Sequence, residues 1–564
     1  MKMWGTDRIR WAQWNPWDRA SALLGLLVVT VVLATVHQYG MSWDEEFRYR
    51  GGQTKLSFYE RIFFGEETYR EVLAGTGTDR YPGLFDLTLA LLDRISPFSL
   101  LLTGHLLSAF FGLMGFWGTW CLGRLIGGPR LAFAALLFLV LFPNYYGHLF
   151  FNPKDIPFAA TAVWALYSIA RILPRWPHLS WPDLLWTSLA IGLTMSVRVG
   201  GILYLLYLAV LLLMWSAYRL GQNPSDWRGW LRVNLVLAAK ACLLAILAYL
   251  IMLAWWPYGQ SQFIRSSVET IGAVTSFDWD APVLFDGRLY SARRLPWFYL
   301  PFSLVVTTPL VTVLAIFPGL LAFYLALRTR PRFWQRPFAE WATPVLLLLA
   351  VGFPLAYVFV TGPTLYDGVR HFLFLLPVLA VLAAWSWLTL IDLLGRWSGR
   401  AATILAVILG LGLVIPTGTN YVLLHPYQYV FYNSLVGGLP GAKGRFETEY
   451  WGTSNREAVR WLDEYLQANH LATAESPVKV GTLTAPWLVE TFITERMVFA
   501  EDPNEADFLI TLPRVIRILR VVQPAFRERG LGDVFHEVQR RGTTLATIYD
   551  RRALRVMPED RPED

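Results

Sequence analysis

The chain has 564 residues, of which 55% are hydrophobic, 15% aromatic and only 16% charged. Soluble globular proteins carry about 25% charged residues, and at a mean hydropathy of +0.39 the surplus apolar side chains cannot all be buried in soluble cores. Disordered, collagen-like and coiled-coil chains are excluded by the same composition. The sequence therefore predicts a polytopic membrane protein, whose net charge of +7 reflects topology rather than nucleic-acid binding.

The N-terminal residues and the two cysteines further limit what kind of membrane protein this is. Residues 1–19 are rich in tryptophan and lead into an apolar run without a small-residue cleavage site. We therefore expect a cytoplasmic N-terminus and a first spanning helix rather than a removed signal peptide. The two cysteines, Cys121 and Cys242, lie in separate apolar stretches, so neither a disulfide framework nor a cysteine-based metal site can be built from them.

Eleven segments are predicted to cross the membrane, because a helix needs about 20 apolar residues to span a bilayer. Proline and glycine interrupt the third to the sixth of them. The segments are 20–39, 98–121, 129–147, 154–172, 181–197, 199–216, 233–254, 298–326, 341–361, 370–390 and 401–421. Together they predict a transmembrane domain over residues 20–421.

The chain beyond Tyr421 has a different character. From about residue 430, short strand-like pieces alternate with amphipathic helical ones, a pattern typical of a soluble α/β domain. The strand-like pieces are Val478–Leu483, Met497–Ala500, Phe508–Leu512 and Thr544–Tyr549. We expect this domain over residues 430–556, followed by a disordered tail at 557–564.

The distribution of arginine and lysine predicts the orientation of the chain. Short loops on the side of the N-terminus carry most of these residues, whereas the short loops on the opposite side offer only Lys154, Arg198 and Arg370. Because cytoplasmic loops hold the positive excess, the C-terminal domain is predicted to lie outside. The longer segments 41–97 and 256–296 fall on the same outer side and alternate aromatic with charged residues, which suits short helices at the headgroup level.

An acidic motif stands where the first span emerges on the outer face. It reads Ser42-Trp43-Asp44-Glu45-Glu46. Carboxylates at a membrane interface carry a desolvation cost unless they are paired or used. The motif indicates a general base or a carboxylate that positions an acceptor, and a solvated acidic loop is the alternative.

A second outer motif links the third and fourth spans; it contains His148 and, between Pro153 and Pro157, Lys154 and Asp155. Lys154 and Asp155 are predicted to point into the same outer cavity as Asp44. A carboxylate that activates an acceptor and a cation that stabilises a departing phosphate are what a reaction with a phosphate leaving group needs. A structural ion pair between Lys154 and Asp155 is the alternative.

Basic residues form the third outer feature. Arg198 lies between the fifth and sixth spans, and Arg370 and His371 open the tenth span shortly after Tyr366. Arginine can grip a phosphate with a bidentate fork, so the interpretation is a substrate phosphate site; snorkelling to lipid phosphates is the alternative.

Familiar energy-coupling and hydrolytic motifs are missing from the sequence. Residues 437–444 are glycine-rich and include Lys443, but no serine or threonine follows the lysine, so they form no P-loop. Neither a zinc-protease helix motif nor a nucleophile elbow occurs. The energy for a reaction must therefore arrive with the substrate.

These features resemble the GT-C class of integral-membrane glycosyltransferases, with an acidic motif after the first span, an outer loop of interfacial helices, a second aspartate at the start of the fourth span and an outer C-terminal domain. Within that class the chain is similar to the protein O-mannosyltransferase and lipid A aminoarabinose transferase group. The stretches that resemble bacterial members are NPKDIPFA (152–159), HPYQYVFYNSLVGG (425–438) and EYWGTSNREAVRWL (449–462).

The resemblance implies an activity: transfer of a sugar from a polyprenyl-phosphate donor, on the outer face of the bacterial inner membrane, with inversion at the anomeric carbon. Carried over onto this sequence, Asp44 is the general base, Glu45 supports it or contacts the acceptor, and Asp155 is the second acidic residue of the site. No metal is expected to be required, although some branches of the class use a divalent cation.

The resemblance also implies a set of substrate contacts. Lys154 and Arg370 are the expected phosphate ligands, and the segment Arg80-Tyr81-Pro82 matches a proline-containing segment that relatives keep beside the donor. The full set of expected substrate contacts is Lys154, Arg370, His371, Arg198, His148, Tyr81 and Tyr366.

Two other classes of function compete with this interpretation. A transporter or flippase of lipid-linked sugars would be favoured by charges in both halves of the bundle and by an inverted repeat, whereas the polar groups here collect at one outer face. A membrane scaffold explains the topology and leaves the outer charges unused. The sugar and the acceptor, whether protein, lipid or polysaccharide, stay open.

Overall fold

The computed structural model of the chain describes residues 15–65, 81–275, 279–329, 336–523 and 528–555. The predicted N-terminal lead-in up to residue 14, Arg80 and the predicted tail at 557–564 lie outside the described residues. The described part consists of a helical region followed by a mixed α/β region.

The helical region begins with nine helices. They are α1 (Pro16–Thr35), α2 (Trp43–Phe64), α3 (Leu84–Asp93), α4 (Leu100–Val140), α5 (Pro143–His148), α6 (Asp155–Ile172), α7 (Trp181–Val197), α8 (Leu203–Gln222) and α9 (Trp227–Ala254). It continues with α10 (Pro257–Gln262), α11 (Ile264–Thr275), a hairpin of β1 (Pro282–Phe285) and β2 (Arg288–Ser291), then α12 (Tyr299–Val306), α13 (Leu310–Thr329), α14 (Phe338–Thr361), α15 (Leu376–Gly395) and α16 (Gly399–Leu424).

The predicted polytopic helical fold is confirmed. Within the described residues, eight helices are long and apolar enough to cross a membrane, and a ninth if the bent pair α12 and α13 is one span. Two differences account for the remaining predicted spans. The 41-residue α4 holds two of them, because Gly127 and Gly128 take non-helical dihedrals before Pro129, and α7 is apolar but has only 17 residues.

Prolines explain where the structure departs from the predicted boundaries. The third predicted span, 129–147, is not one helix: α4 ends at Val140, Phe142 is extended and α5 begins at Pro143. The residue before a proline is pushed out of the helical region, which ends α4 there. Likewise α12 and α13 meet at an angle of 113° across a break that contains Pro309, which has no N–H to continue the helix.

Helix α6 occupies the centre of the bundle. It packs against α4 and α7. Within its apolar 18-residue stretch 83% of the residues are buried, compared with 22% for α1 and 17% for α16. A helix that is apolar all round belongs inside a bundle, whereas α1 and α16 keep apolar faces that suit lipid. The first residues of α6 therefore lie at the centre of one end of the bundle.

The segments between the spans on that end are themselves structured. Helices α2 and α3 pack against each other in the segment 41–97, and the segment 256–296 contains α10, α11 and the β1–β2 hairpin. The hairpin turns at Asp286 and Gly287, both with positive φ, as a two-residue hairpin loop requires. The sequence prediction of helices alone for the segment 256–296 missed this hairpin.

The C-terminal region contains a five-stranded sheet with helices, which confirms the predicted α/β fold. Its elements are α17 (Gly438–Ala442), α18 (Asn455–Ala468), β3 (Val478–Thr482), α19 (Trp487–Glu490), β4 (Met497–Phe499), β5 (Phe508–Thr511), α20 (Pro513–Val522), β6 (Asp533–Arg540), β7 (Thr543–Asp550) and α21 (Arg552–Arg555). The strand order is β4-β3-β5-β7-β6; β4, β3 and β5 run parallel, and β7 and β6 are antiparallel to their neighbours.

Four of these strands coincide with the predicted strand-like pieces, and β6 was missed. Strand β6 is an edge strand with the sequence DVFHEVQR, and only one of its residues is buried. A strand that buries so little apolar surface carries almost no hydrophobic alternation, which is the signal that predicts strands from sequence.

Candidate functional site

The acidic motif forms the start of α2, and its second carboxylate faces inward. The backbone N–H of Ser42 donates to Glu45 Oε2 at 2.6 Å, and the Tyr49 hydroxyl donates to Glu45 Oε1 at 2.8 Å. His105 Nε2 lies 3.1 Å from the same Oε1. Glu45 is only 2% exposed. It completes a capping box with Ser42, which satisfies the free N–H groups that begin a helix.

Asp44 differs from its neighbour in being accessible and weakly held. Its side chain is 26% exposed, and the nearest cation is Arg370, whose Nη2 lies 3.6 Å from Asp44 Oδ2. Across the described ranges, no side chain or backbone N–H donates a hydrogen bond to this carboxylate. Its oxygens are therefore available to accept a proton or a hydrogen bond from a ligand.

Arg370 is enclosed between carboxylates and aromatic rings. Its Nη1 lies 3.2 Å from Asp367 Oδ2. The guanidinium carbon lies 4.5 Å from the ring centroid of Trp451 and 4.9 Å from that of Tyr366. These are cation–π distances. The two rings therefore hold the guanidinium in place, with Nη2 directed at the Asp44 carboxylate.

The turn that carries Arg370 is held from two directions. Asp367 and Gly368 both have positive φ, and the Gly368 N–H donates to the Tyr299 hydroxyl at 3.0 Å. Asp367 Oδ1 forms an ion pair with Arg514 of α20. The turn is thus fixed by α12 of the helical region and by the C-terminal region together.

Asp155 begins α6 and is fully engaged. It is 3% exposed and forms an ion pair with Arg198. The Asn152 amide donates to Asp155 Oδ2 at 3.0 Å, and Asn152 Oδ1 accepts from the Asp155 N–H at 2.9 Å. An engaged, buried carboxylate orients its partners rather than exchanging protons, so Asp155 fixes Arg198 beside the site.

Lys154 is a basic residue that no described carboxylate pairs with. Its ammonium lies 3.6 Å from the ring centroid of Tyr81, and the Arg48 guanidinium lies 5.2 Å from the same ring. In the part of the chain that the structure describes, no carboxylate oxygen lies within 4 Å of the ammonium. Burial lowers the pKa of the Lys154 ammonium, and the positive charges of Arg198 and Arg48 lower it further, whereas the carboxylates of Asp44 and Asp155 act in the opposite direction.

Helix α2 contributes two cations that the sequence prediction missed. Arg48 Nη1 lies 3.1 Å and Lys55 Nζ 3.0 Å from Asp86 Oδ2 of α3. Arg48 and Lys55 are seven residues apart and so share one face of a helix. That spacing, in a segment already expected to contain helices, is the signal that could have found them.

His148 lies behind the site rather than in it. It has no exposed surface; its Nδ1 is 2.6 Å from the Asn144 carbonyl oxygen and its Nε2 is 3.1 Å from the Tyr450 hydroxyl. Burial lowers the pKa of His148 to about 4, so the ring is neutral and packs between the helical and C-terminal regions.

His371 and Tyr366 flank the guanidinium of Arg370. The Nε–H of Arg370 donates to His371 Nε2 at 3.1 Å, and the ring centroids of Tyr366 and His371 lie 4.6 Å apart, edge to face. Both residues therefore lie where the sequence placed them, beside Arg370.

The residues proposed from the sequence form two neighbouring groups on one end of the bundle. The first contains Asp44 and Arg370, and the second contains Lys154 and Asp155. They lie within electrostatic reach, because Arg370 feels the charge of both Asp44 and Asp155. Among the described residues, no group of three or more His, Cys, Asp or Glu is arranged to hold a metal ion.

The fold is similar to solved structures of the Archaeoglobus fulgidus oligosaccharyltransferase. Its apo form matches with a TM-score of 0.51 at 13% identity, over 88% of this chain and 66% of the other. The archaeal oligosaccharyltransferase AglB in complex with an inhibitory peptide and a dolichol-phosphate gives 0.49 at 14% identity, over 88% and 70%. The complex with Zn and sulfate gives 0.43 at 13% identity, over 93% and 70%.

The chain has the GT-C fold. At this level of identity the likeness to the apo enzyme shows the fold alone, and the chain spans 66% of that enzyme's length. Neither protein-family models nor curated proteins give a match. The GT-C fold expected from the acidic motif, the outer helices and the C-terminal domain is therefore confirmed, and the chemistry rests on the site.

Proposed function

We propose that this GT-C protein is a glycosyltransferase that moves a glycan from a lipid-linked donor to an acceptor at the outer face of the plasma membrane. The observation that carries the proposal is Asp44, an accessible carboxylate without a hydrogen-bond donor, held 3.6 Å from the Arg370 guanidinium. The fold shared with an oligosaccharyltransferase supports the same class of reaction. The donor that the resemblance favours is a sugar on a polyprenyl phosphate.

In the proposed reaction, Asp44 is the general base. An acceptor nucleophile attacks the anomeric carbon and transfers its proton to the Asp44 carboxylate. The bond between that carbon and the phosphate oxygen breaks, its electron pair stays on the phosphate, and the configuration inverts. A positioned base contributes about 10²–10⁴-fold to such a step, and the lipid phosphate already leaves readily, so no nucleotide is needed.

Two cations receive the departing phosphate in this proposal. Arg370 lies beside the base, and Lys154 carries a charge that no described carboxylate neutralises at short range. Preorganised cations aimed at developing negative charge stabilise a transition state without reorganisation. Arg198, held by Asp155, and the ring of Tyr81 complete the wall around Lys154, while Tyr366 and His371 line the other side of Arg370.

The remaining predicted residues have supporting roles. Glu45 fixes the start of α2 and thereby the direction of Asp44, so we propose it as a positioning residue. Asp155 positions Arg198, and His148 packs behind the site without touching substrate. The proposal requires no metal; turnover is expected to persist in EDTA, and a strict dependence on an added divalent cation would overturn that part.

The orientation and location belong to the proposal as well. The positive loops place the N-terminus in the cytoplasm and the C-terminal domain outside, in a bacterial inner membrane whose lipids cover the apolar faces of α1 and α16. The acceptor is a protein, a lipid or a polysaccharide, presented from the outer side.

The test uses full-length protein in nanodiscs with radiolabelled sugars on polyprenyl phosphate and on polyprenyl diphosphate, and a membrane extract as the source of acceptor. We expect the wild type to release sugar from one of these donors and Asp44→Asn to lower that rate by about 10²–10⁴-fold. Asp44 receives no hydrogen bond from the described residues. We therefore expect the Asp44→Asn protein to have the same melting temperature as the wild type.

Glu46→Gln is the matched control. Glu46 is the next residue, and its carboxylate pairs with Arg50 at 2.6 Å on the surface of α2, away from Arg370. It should change turnover less than twofold. Turnover by Asp44→Asn at the wild-type rate would contradict the assignment of the base. Movement of an intact fluorescent sugar lipid across the bilayer, without cleavage, would instead identify a transporter.

A further inference from the structure

The C-terminal region enters the proposed site through a loop of aromatic and small residues. Trp451 is fully buried; its carbonyl oxygen accepts from the Trp43 N–H at 3.1 Å, and its ring lies on Arg370. Gly40, just before the acidic motif, leaves no room for a side chain, since a Cβ there would lie 2.1 Å from the Thr453 carbonyl oxygen. The loop is therefore packed directly on the segment that carries Asp44.

A second contact comes from the edge of the sheet. Arg514 stands three residues after Thr511, the last residue of β5, at the start of α20. Strand β5 is paired on both sides, with β3 and with β7, so its carboxyl end is rigid. Arg514 is 8% exposed and reaches the helical region from a fixed position. Side chains on rigid elements hold geometry better than side chains on loops.

Arg514 and Arg370 share one carboxylate. Asp367 Oδ1 pairs with Arg514, and Asp367 Oδ2 lies 3.2 Å from Arg370 Nη1. Two arginines lie against the single negative charge of Asp367, so the three groups together keep a net positive charge. Without Arg514, the Asp367 carboxylate would be free to turn both oxygens towards Arg370 and draw its guanidinium away from Asp44.

We propose that Arg514 is a positioning residue of the site: by holding Asp367, it keeps the Arg370 guanidinium directed at the phosphate of the lipid-linked donor. This inference rests on the proposed function, because it takes Arg370 as the phosphate ligand. It gives the C-terminal domain a part in binding the donor, through Arg514 and Trp451, in addition to any contact with the acceptor.

A matched control separates positioning from simple tethering of the two regions. Arg517 lies one turn further along α20, and its Nη2 lies 2.5 Å from Glu447 Oε2. Glu447 Oε1 accepts from the Leu284 N–H in β1 at 2.8 Å. Arg517 thus also connects α20 to neighbouring segments, and it is not paired with Asp367. Arg514 approaches the same Glu447 oxygen only through its Nε, at 4.0 Å.

The experiment measures binding of polyprenyl phosphate, the product of the proposed reaction, to full-length protein in nanodiscs. Arg514→Met should weaken binding about tenfold, and Arg514→Lys should restore part of the loss. Arg517→Met should stay within twofold of the wild type. In an Asp367→Asn background, where the shared charge is gone, Arg514→Met should change binding less than twofold, since coupled residues are non-additive.

The outcomes distinguish the inference from the proposal beneath it. Equal losses in Arg514→Met and Arg517→Met, or the full loss of Arg514→Met in the Asp367→Asn background, would overturn the positioning role. Arg370→Met that still binds polyprenyl phosphate at wild-type affinity would overturn the proposed phosphate site itself. Melting temperatures show whether each variant folds. If Arg514→Met does not fold, binding is compared between Arg514→Lys and the wild type instead.

Discussion

Charged side chains at the two ends of the helical bundle are partnered in different ways. At the end predicted to face the cytoplasm, Asp18 pairs with Arg124, and Asp183 pairs with Arg175 and accepts from the Ser180 hydroxyl at 2.7 Å. At the outer end, Asp44 receives no hydrogen bond from the described residues, and Lys154 has no carboxylate within 4 Å there.

The difference separates charges that build the fold from charges that serve a ligand. A buried or half-buried charge that lacks a partner costs stability, and such costs are found where function requires them. The inner carboxylates are neutralised by the protein itself. At the outer end, Asp44 is paired only with the Arg370 guanidinium, 3.6 Å away, and Lys154 has no carboxylate within 4 Å among the described residues, which leaves positions for the polar groups of a ligand.

The largest effect on donor binding is expected at Lys154, which has no carboxylate within 4 Å among the described residues. Lys154→Met should weaken binding of the polyprenyl-phosphate sugar ten- to hundredfold and raise the stability by about 1 kcal/mol, because a charge beside Arg198 and Arg48 is removed. Binding isotherms and melting temperatures in nanodiscs measure both. Lys55→Met is the matched control: its ammonium is paired with Asp86, so it should lower stability. A destabilised Lys154→Met would show that its charge is compensated after all.

The opposite result is expected at the inner end of the bundle. Asp18→Asn removes the partner of Arg124, which is only partly exposed, and should cost about 1–3 kcal/mol of stability. Its turnover, measured well below the melting temperature, should stay within twofold of the wild type. If turnover fell as far as in Asp44→Asn, the two ends would not be functionally distinct.

A smaller effect concerns a carboxyl group behind the outer site. Burial raises the pKa of Glu449 to about 8, and the Ser454 hydroxyl donates to its Oε1 at 3.2 Å. The folded state therefore holds a proton that the unfolded chain has lost above its ordinary pKa. Stability should be highest in acid and fall as the pH rises from the ordinary pKa of a carboxyl group towards 8.

Glu449→Gln isolates that effect. The amide cannot titrate, so its melting temperature between pH 5 and pH 8 should fall less steeply than that of the wild type. Parallel curves for the two proteins would mean that Glu449 is ionised in the folded state or exchanges its proton without cost.

Local sequence patterns predict most of the membrane-spanning helices and about half of the residues that the structure brings together at the candidate site. Long apolar runs need no knowledge of neighbours to be recognised as spans. Asp155 lies at the start of a helix that such a run defines, and Asp44 lies shortly after the end of the first run. Glu45 shows the limit of this approach. The spacing of Ser42 and Glu45 is that of a capping box, which accounts for its burial better than the catalytic role expected from the acidic motif.

The rest of the site depends on contacts between distant parts of the chain. Arg514 follows a predicted strand by two residues, and Asp367 precedes a predicted span, but 147 residues separate them. No periodicity or spacing in one sequence reports such a pair. The arginines at 514, 517 and 520 on one amphipathic helix could at most have suggested a basic face.

The packing of Trp451 against Trp43 and Arg370 also has a consequence for biosynthesis. The helical region emerges from the ribosome first, and the loop that completes the surroundings of Asp44 and Arg370 is made only after the last span has been inserted. We therefore expect nascent chains to be inactive until the C-terminal domain has crossed the membrane and folded. A half-made chain would then leave the pool of lipid-linked sugar untouched.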